Sequence, residues 1–321
     1  MQEEQRSNHV DELTALGVAA ADVQKLKTAG ICTLKGADMA TRRTLSRIKG
    51  MSDVKVEKIK DALKKKLDAS FVTAKKYAEK RARVVKITTG SSELDTILGG
   101  GIQTMSITEA FGEFRTGKTQ LAMTLCVACQ LEEGKKAVYI DTEGTFRPER
   151  ISEIAARFEM DPEIALENII IARPFNTEQQ EELLDNLQQV FADDPNAYRL
   201  LVIDSIISLF RTDYVGRGEL GERQQKLNLL LAKLTRVADE HNIAVFITNQ
   251  MMSDPGNTMS FVSDPKKPIG GHVLAHASTT RIYLRKGRNE TRVAKIYDSP
   301  DVAESEGIYS ITEGGISDAN E

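Results

Sequence analysis

An eight-residue loop constrains this chain more than any other part of its sequence. It matches the pattern G-x-x-x-x-G-K-[S/T] in full, and reads Gly112-Glu113-Phe114-Arg115-Thr116-Gly117-Lys118-Thr119. An apolar run at residues 106–111 precedes it, and an amphipathic stretch beginning at Gln120 follows it. Glycines allow backbone N–H groups to converge on phosphate oxygens, and the N-terminus of a helix favours negative charge. The loop therefore predicts a nucleotide-phosphate site between a strand and a helix.

The chain from residue 84 onward alternates short apolar runs with amphipathic stretches. The predicted strands cover residues 106–111, 137–140, 169–172, 200–203 and 244–248. The predicted helices cover residues 120–131, 150–158, 178–191 and 222–241. This order predicts a mainly parallel sheet covered by helices on both faces. Three later runs, at residues 280–285, 291–297 and 308–312, predict an antiparallel extension.

The first 83 residues have a different character. They carry 19 lysines and arginines against 11 aspartates and glutamates, a net charge of +8, whereas the remainder carries 24 against 36, or −12. Short helices are predicted at residues 10–16, 20–29, 39–46 and 54–67, with similar glycine connections at Gly30 and Gly50 and an N-capping Ser52. This pattern is typical of a helix–hairpin–helix that presents backbone N–H groups to DNA phosphates. A plain helical hairpin with a solvated basic face is the alternative.

Composition excludes several classes of protein. No apolar run approaches the roughly 18–20 residues of a membrane span. The N-terminus is polar and acidic, without the apolar segment of a secretory signal. Three cysteines are too few for a disulfide scaffold, and Cys126 and Cys129 form half of a zinc site within an apolar helix pattern. We expect no membrane association and no structural metal there.

Three polar side chains follow neighbouring predicted strands. Asp204 ends the strand at residues 200–203 and predicts a carboxylate that holds Mg²⁺. Glu143 follows the strand at residues 137–140 and is a candidate for deprotonating an attacking water. Gln250 ends a further strand, where an amide can contact a γ-phosphate. Each of them is alternatively an ordinary polar residue at the end of a strand.

Longer strings identify the chain as a member of a known family. It resembles the eukaryotic and archaeal branch of the RecA-type recombinases in the strings GEFRTGKTQ, DTEGTFRPER, LLVIDS, GRGELGERQQ, TNQ, DPKKPIGG, HASTTR and KIYDSP. The resemblance runs from about Leu13 to the C-terminus. Asp254-Pro255-Gly256 and Thr258-Met259-Ser260-Phe261 are similar to the meiotic members, with the general mitotic members the alternative.

The resemblance implies an α/β architecture with a RecA-like P-loop ATPase core, mainly parallel in its sheet, preceded by a small all-α helix–hairpin–helix domain. The implied domains are a DNA-binding domain at residues 1–68, a linker with a polymerisation motif at residues 69–85 and the ATPase core at residues 86–321. In that motif, Phe71 and Ala74 of one protomer would fill apolar pockets on the next.

The resemblance also implies roles at an ATP and Mg²⁺ site shared between protomers. Lys118 and Thr119 would form the Walker A pair, with Thr119 and Asp204 on the metal, Glu143 as the base and Gln250 as the link to DNA. Arg150 would stack on the adenine. The neighbouring protomer would contribute the cap and the γ-phosphate contacts, namely Asp298, Ser299, Pro300, Lys266, Lys267 and His276.

Two loops would carry DNA. The first covers about residues 212–222 with Tyr214, Arg217 and Arg223, and the second covers about residues 251–268 with Met252, Pro255 and Gly256. Ordinary surface loops are the alternative. Polar, glycine-bearing loops beside a nucleotide suit a grip on the strand backbone that ignores sequence.

The resemblance therefore predicts a nuclear, DNA-dependent ATPase that polymerises on single-stranded DNA and pairs it with a homologous duplex, in meiotic recombination and double-strand break repair. We expect self-association into a ring or a helical filament, assistance by mediator proteins, and a shorter acidic N-terminal tail than in relatives. A RecA-core translocase or helicase and a non-catalytic mediator are the alternatives.

Overall fold

The computed structural model describes residues 9–67, 71–253 and 266–319, and it divides into two compact units. One unit comprises the chain up to Arg83 together with Glu181–Asn196. The other comprises Val84–Gln180 and Ala197–Glu321. None of the helices within the described ranges has the length and apolar character that crossing a membrane requires.

The N-terminal unit is helical. After a 3-10 helix at Val10–Leu13 it forms α1 (Ala20–Thr28), α2 (Leu34–Met39), α3 (Arg42–Ser46), α4 (Asp53–Lys66) and α5 (Ala74–Arg81). Apolar side chains from the first four of these and from the 3-10 helix form one core, which includes Leu13, Leu26, Leu34, Leu45, Ile59 and Leu63. The single helix predicted at residues 39–46 is wrong. Ala40 is extended, and the Thr41 side chain accepts a hydrogen bond from the Thr44 N–H and begins a new helix.

The two glycine connections adopt the tight turns that the sequence predicts. Gly30 and Gly50 have φ angles of +73° and +78°, a region that favours glycine. The capping residues differ between the two turns. Thr33 Oγ1 accepts a hydrogen bond from the Gly36 N–H at 2.9 Å, whereas Ser52 occupies its N-cap position without a side-chain cap bond. Ser52 is therefore the N-cap residue that the sequence predicts, but its side chain makes no capping hydrogen bond.

A ten-stranded sheet forms the centre of the second unit. The strands are β3 (Ser106–Gly112), β4 (Lys136–Asp141), β5 (Ile169–Ala172), β6 (Tyr198–Asp204), β7 (Ala244–Ser253), β8 (Lys266–Pro268), β9 (Thr280–Lys286), β10 (Arg292–Asp298), β11 (Glu306–Thr312) and β12 (Gly315–Asp318). Their order is β12-β11-β10-β9-β3-β7-β6-β4-β5, with β8 paired to the end of β7. A separate two-stranded sheet joins β1 (Lys86–Ile87) and β2 (Ile102–Gln103).

Helices alternate with these strands, as the amphipathic stretches predict. They are α6 (Ser92–Ile97), α7 (Lys118–Ala128), α8 (Pro148–Arg157), α9 (Pro162–Glu167), α10 (Thr177–Asp193), α11 (Ser208–Asp213), α12 (Leu220–His241) and α13 (Gly271–Ala277). The short helices α6, α9, α11 and α13 were not predicted. Helix α7 is buried along most of its length, including Cys126. Cys129 directly follows the helix and is also buried, and this burial raises the pKa of its thiol to about 12.

Parallel pairing brings the functional segments to one end of the sheet. Strands β5, β4, β6, β7, β3 and β9 are parallel, whereas β9 to β12 pair in antiparallel fashion. Gly112 pairs with Gln250, and Asp141 pairs with Asp204. The carboxyl ends of four neighbouring strands therefore meet where ligands bind in open α/β sheets.

Candidate nucleotide site

The loop at residues 112–119 joins β3 to α7 and has the geometry of a phosphate cradle. Gly117, at the N-cap of α7, has a φ angle of +96°. A Cβ atom on Gly112 would lie 2.2 Å from the Leu284 carbonyl oxygen, and one on Gly117 would lie 2.8 Å from the Ile311 side chain. Only glycine fits at both positions, so the backbone N–H groups of the loop stay accessible to a ligand.

Lys118 lies folded back on this loop. Its Nζ donates to the carbonyl oxygens of Gly112 at 3.0 Å and Glu113 at 2.7 Å. Burial lowers the pKa of Lys118, and the nearby carboxylates of Asp204 and Glu143 partly oppose that effect. A partly buried ammonium group beside main-chain oxygens can exchange those acceptors for the oxygens of a phosphate chain.

Asp204 is buried at the end of β6, and two hydroxyl groups orient its carboxylate. Tyr139 Oη donates to Asp204 Oδ2 at 2.8 Å, and the Thr248 hydroxyl donates to Oδ1. Burial and the Asp204 charge raise the pKa of Tyr139, so the phenol stays protonated as a donor. The sequence identified Asp204, but neither of its two donors.

A second buried carboxylate shapes the loop that carries Glu143. Asp141 Oδ1 accepts hydrogen bonds from the backbone N–H groups of Glu143, Gly144 and Thr145 at 2.7–3.1 Å, and Oδ2 accepts from that of Phe146 at 3.0 Å. Four backbone donors on one side chain fix the loop conformation. The sequence reasoning missed Asp141, although it precedes Glu143 by two residues at the end of a predicted strand.

Glu143 is joined to Gln250 by a hydrogen-bond chain. Glu143 Oε1 accepts from Ser205 Oγ at 2.9 Å and from Gln250 Nε2 at 2.6 Å. Gln250 Oε1 in turn accepts from Arg211 Nη1 at 2.7 Å. The structure therefore brings together two residues that the sequence proposed separately, and it adds Ser205 and Arg211.

Arg150 lies on α8, and its side chain reaches the turn between β11 and β12. Its guanidinium donates to Gln120 Oε1 at 2.9 Å and to the carbonyl oxygens of Thr312 and Glu313 at 2.8 Å, and it also pairs with Glu153. These bonds hold the guanidinium beside the beginning of α7. Stacking of Arg150 on an adenine stays a prediction.

The segment predicted to cap a nucleotide lies away from this loop. Asp298 pairs with Arg281 of β9, which pairs with Glu109 of β3, three residues before Gly112. Ser299 follows, and its hydroxyl lies 3.3 Å from that of Thr280. The chain at Asp298, Ser299 and Pro300 therefore runs toward the end of the sheet opposite the phosphate loop.

The remaining residues predicted to act across protomers lie near the second loop. Lys267 is exposed on β8, and His276 is exposed on α13 with its ring 6.2 Å from that of His272. The Lys266 side chain lies outside the described residues. Their contact with a second protomer stays a prediction.

The first predicted DNA loop is more helical than the sequence indicates. Residues 212 and 213 complete α11, a 3-10 helix covers Arg217–Glu219, and Arg223 lies on α12. Tyr214 packs on Phe210 with ring centroids 6.3 Å apart, and Lys226 Nζ lies 5.5 Å from the tyrosine ring centroid.

The two ends of the second predicted DNA loop pair with each other in antiparallel fashion. Residues 251–253 of β7 pair with residues 266–268 of β8, and Met252 is half exposed. Pro255 and Gly256 lie outside the described residues.

In the linker, Phe71 and Ala74 are both exposed, and Phe71 is fully so.

The arrangement fits a nucleoside triphosphate with Mg²⁺. The loop has no room for side chains at its two glycines, and Lys118 is held only by main-chain oxygens of the loop within the described part of the chain. The Thr119 hydroxyl makes no hydrogen bond to the described residues and lies one residue from Lys118. Thr119 and Asp204 supply the oxygen ligands that Mg²⁺ prefers.

Comparison with known proteins decides the family. The Rad51 family model matches residues 80–319. The chain belongs to the Rad51 family. It is 56% identical to the mouse meiotic recombination protein DMC1/LIM15 homolog, over 99% of this chain and 95% of that protein. It is also 57% identical to the Candida albicans meiotic recombination protein DLH1, over 97% of each chain, and 56% identical to the Saccharomyces cerevisiae meiotic recombination protein DMC1, over 97% of this chain and 95% of that protein.

Membership of the Rad51 family confirms the resemblance and the fold class. The mainly parallel sheet, the phosphate loop after β3 and the helical N-terminal unit agree with a RecA-type recombinase. Rad51-family recombinases are ATPases that use ATP with Mg²⁺ and act on DNA.

Proposed function

We propose that this chain is a meiotic recombinase with DNA-dependent ATPase and strand-exchange activities. It polymerises on single-stranded DNA in the presence of ATP and Mg²⁺ and pairs that strand with a homologous duplex. The observation that carries the proposal is the hydrogen bond between Gln250 and Glu143 beside the phosphate loop, because it joins hydrolysis to the base of the second DNA loop. The meiotic relatives, similar along nearly the whole chain, support the meiotic role.

The nucleotide roles follow from the contacts at the phosphate loop. Lys118 would leave its main-chain acceptors for the β- and γ-phosphate oxygens, and Thr119 and Asp204 would hold Mg²⁺. A bound Mg²⁺ neutralises charge that develops on the phosphate oxygens. Glu143, positioned by the loop around Asp141, accepts a proton from the attacking water. Gln250 contacts the γ-phosphate and links its presence to the second DNA loop, and Arg150 stacks on the adenine.

Three segments of the chain have separate roles. Residues 1–68 are a helix–hairpin–helix domain that contacts DNA backbone, residues 69–85 connect and polymerise, and residues 86–321 are the ATPase core. Turns at Gly30 and Gly50 with positive φ angles support the first role.

Self-association uses Phe71 and Ala74, which are exposed. An edge strand with exposed apolar side chains suits them, because a peptide can extend a sheet while its side chains enter pockets. Strand β5 ends the strand order, and Ile170 and Ile171 on it are exposed. A head-to-tail contact of this kind produces rings or helical filaments.

DNA binding uses both loops without preference for sequence. Tyr214, Arg217 and Arg223 serve the first loop, and Met252, Pro255 and Gly256 serve the second. Asp298, Ser299, Pro300, Lys266, Lys267 and His276 act on the nucleotide of the neighbouring protomer. A role on chromosomal DNA implies action in the nucleus, assisted by mediator proteins that load the filament.

Joint-molecule formation tests the proposal. Labelled single-stranded DNA is incubated with a homologous or a heterologous supercoiled duplex, ATP and Mg²⁺. We expect product with the homologous duplex alone, and loss of product in Lys118→Arg, which should bind ATP but hydrolyse it poorly. Phe71→Glu should lose product through loss of polymerisation, as light scattering would show. Unwinding of a tailed duplex without need for homology would instead indicate a translocase.

A further inference from the structure

The side-chain amide of Gln250 is held from both sides, and chemistry fixes its orientation. Arg211 Nη1 lies 2.7 Å from Gln250 Oε1, and Gln250 Nε2 lies 2.6 Å from Glu143 Oε1. A guanidinium can only donate hydrogen bonds, and a carboxylate can only accept them. The amide oxygen must therefore face Arg211 and the amide nitrogen must face Glu143.

This arrangement occupies one of the two oxygens through which Glu143 can act as a general base. Glu143 Oε1 accepts from Gln250 and, at 2.9 Å, from Ser205 Oγ. A carboxylate oxygen has two lone pairs in its plane, so both sites of Oε1 are filled. An attacking water needs such a site to give up its proton. While Gln250 stays in place, the attacking water can use Oε2 but not Oε1, so Glu143 is partly blocked.

Arg211 is the residue that keeps Gln250 in place. It lies near the C-terminal end of α11, directly before the first predicted DNA loop, and it is exposed. Within the described ranges its guanidinium hydrogen-bonds to Gln250. An exposed guanidinium beside a DNA-binding loop is suited to phosphate oxygens, which accept stronger, charge-assisted bonds than a neutral amide does.

We propose that Arg211 is a positioning residue that couples DNA in the first loop to Gln250 and Glu143. When a DNA phosphate accepts the hydrogen bonds of the Arg211 guanidinium, Gln250 Oε1 loses its donor. The Gln250 amide can then turn from Glu143 toward the γ-phosphate. Glu143 Oε1 then accepts the hydrogen bond of the attacking water. DNA binding at the first loop thereby relieves the block on hydrolysis, and the proposal rests on the function proposed above.

The coupling must act in both directions. If DNA favours the turned position of Gln250, a nucleotide that holds Gln250 by its γ-phosphate must strengthen DNA binding by the same factor. Arg211 therefore links the first loop to a residue at the base of the second loop, since Gln250 directly precedes the paired residues 251–253.

The test measures ATP turnover with and without single-stranded DNA in the full chain and in Arg211→Ala. We expect DNA-free turnover of Arg211→Ala to rise by about threefold to tenfold, the factor that corresponds to one hydrogen bond of ordinary strength. Saturating DNA should then add less than about twofold, because the block is already gone. Arg211→Lys should return DNA-free turnover toward the wild-type value, since an ammonium group also donates to the amide oxygen.

Two controls separate this role from others. Arg236→Ala removes an arginine of α12 that makes no hydrogen bond to Gln250, Glu143 or Ser205 in the described part of the chain, and it should leave turnover unchanged. In a double-mutant cycle, Arg211→Ala should have no further effect on DNA-free turnover once Gln250→Ala is present.

The outcomes distinguish the two proposals. DNA-free turnover of Arg211→Ala at or below the wild-type value, or full stimulation at saturating DNA, would overturn the coupling and leave Arg211 a simple DNA contact. A wild-type chain whose turnover does not respond to DNA at all would instead remove the proposed function.

Discussion

A buried ion pair joins the phosphate-loop strand to its neighbour, and its removal gives a sharp test of the core. Arg281 Nε of β9 lies 2.7 Å from Glu109 Oε2 of β3, and the two side chains are 7% and 0% exposed. Arg281→Met would leave the Glu109 carboxylate buried, with the Asn249 amide as its hydrogen-bond donor at 2.8 Å. Breaking a buried pair from one side costs about 3–5 kcal/mol of the free energy of unfolding.

The aromatic contacts of the guanidinium add to this loss. Arg281 Cζ lies 5.0 Å from the Phe111 ring centroid and 5.2 Å from that of Tyr297. Desolvated cation–π contacts contribute about 2 kcal/mol or more. Methionine keeps part of the apolar contact with both rings, so we expect a total loss near the upper end of the range for the ion pair alone.

The same strand offers a matched control. Arg285 Nη2 lies 2.8 Å from Glu306 Oε2, but these side chains are 43% and 46% exposed. Because exposed pairs contribute roughly 0–1 kcal/mol, Arg285→Met should have little effect. The two variants differ chiefly in burial, so their difference isolates the cost of an uncompensated buried charge.

Urea denaturation followed by circular dichroism measures both variants, and hydrogen exchange of β3 peptides locates the effect. The double variant Glu109→Gln with Arg281→Met should recover much of the stability, because no charge is left without a partner. Equal losses in Arg281→Met and Arg285→Met would refute the reasoning. So would a double variant less stable than Arg281→Met alone.

The ion pair also has a functional consequence. Asn249 Nδ2 donates both to Glu109 and, at 2.7 Å, to the Ile269 carbonyl oxygen, while Asn249 Oδ1 accepts from the Gln250 N–H. The network thus fastens the two ends of the second DNA loop to β3. We expect Arg281→Met to weaken DNA stimulation of turnover even where the protein remains folded.

Three further predictions concern single side chains. Lys60 Nζ donates to three main-chain oxygens within 3.0 Å. Lys60→Met should therefore lower the free energy of unfolding of the N-terminal unit, measured by urea denaturation, by about 1–3 kcal/mol, because these oxygens lose their donor. Lys58→Met, on the exposed face of α4, should leave it nearly unchanged. Hydrogen bonds from two lysines lower the pKa of Asp22 below its ordinary 3.8, so its contribution to stability is present above that pH and lost as the pH falls through the lower, folded value. Asp22→Asn should remove this acid sensitivity, as measured by hydrogen exchange in α1 at pH 5 and at pH 3. Asp141→Asn should reduce ATP turnover by about 10- to 100-fold, through misplacement of Glu143, with nucleotide affinity nearly unchanged in a filter-binding assay.

Local sequence patterns predicted the strands and long helices because their periodicity is strong. Residues 169–172 were predicted without error as β5, and the bounds of α8 and α12 differ by about two residues from those predicted. The short elements were harder. Helices α2 and α3 depend on capping by Thr33 and Thr41 rather than on an apolar stripe, and a stripe of five or six residues is too short to establish a period.

The residues of the candidate site could be predicted only where they stand in a local sequence motif with a known chemical role. Lys118, Thr119 and Asp204 stand in patterns with a fixed mechanical meaning. Asp141 and Arg211 do not, because their roles depend on which backbone amides or side chains the fold brings within hydrogen-bond distance. A carboxylate that accepts four main-chain N–H groups looks, in sequence, like any other aspartate at the end of a strand.

The sheet register limits how a nucleotide site could be completed. Asp298 lies level with Glu109, and the chain then runs away from the end of β3 where Gly112 begins the phosphate loop. A cap formed by residues 298–300 therefore faces away from the phosphate loop of its own chain, so the capping role requires a second copy. The phosphate loop and the cap are different surfaces of one chain, and a contact between different surfaces repeats from copy to copy without closing on itself as a two-fold dimer. If residues 298–300 do cap ATP, the same contact that completes the nucleotide site must also propagate the filament, and a variant in the cap should lose both together.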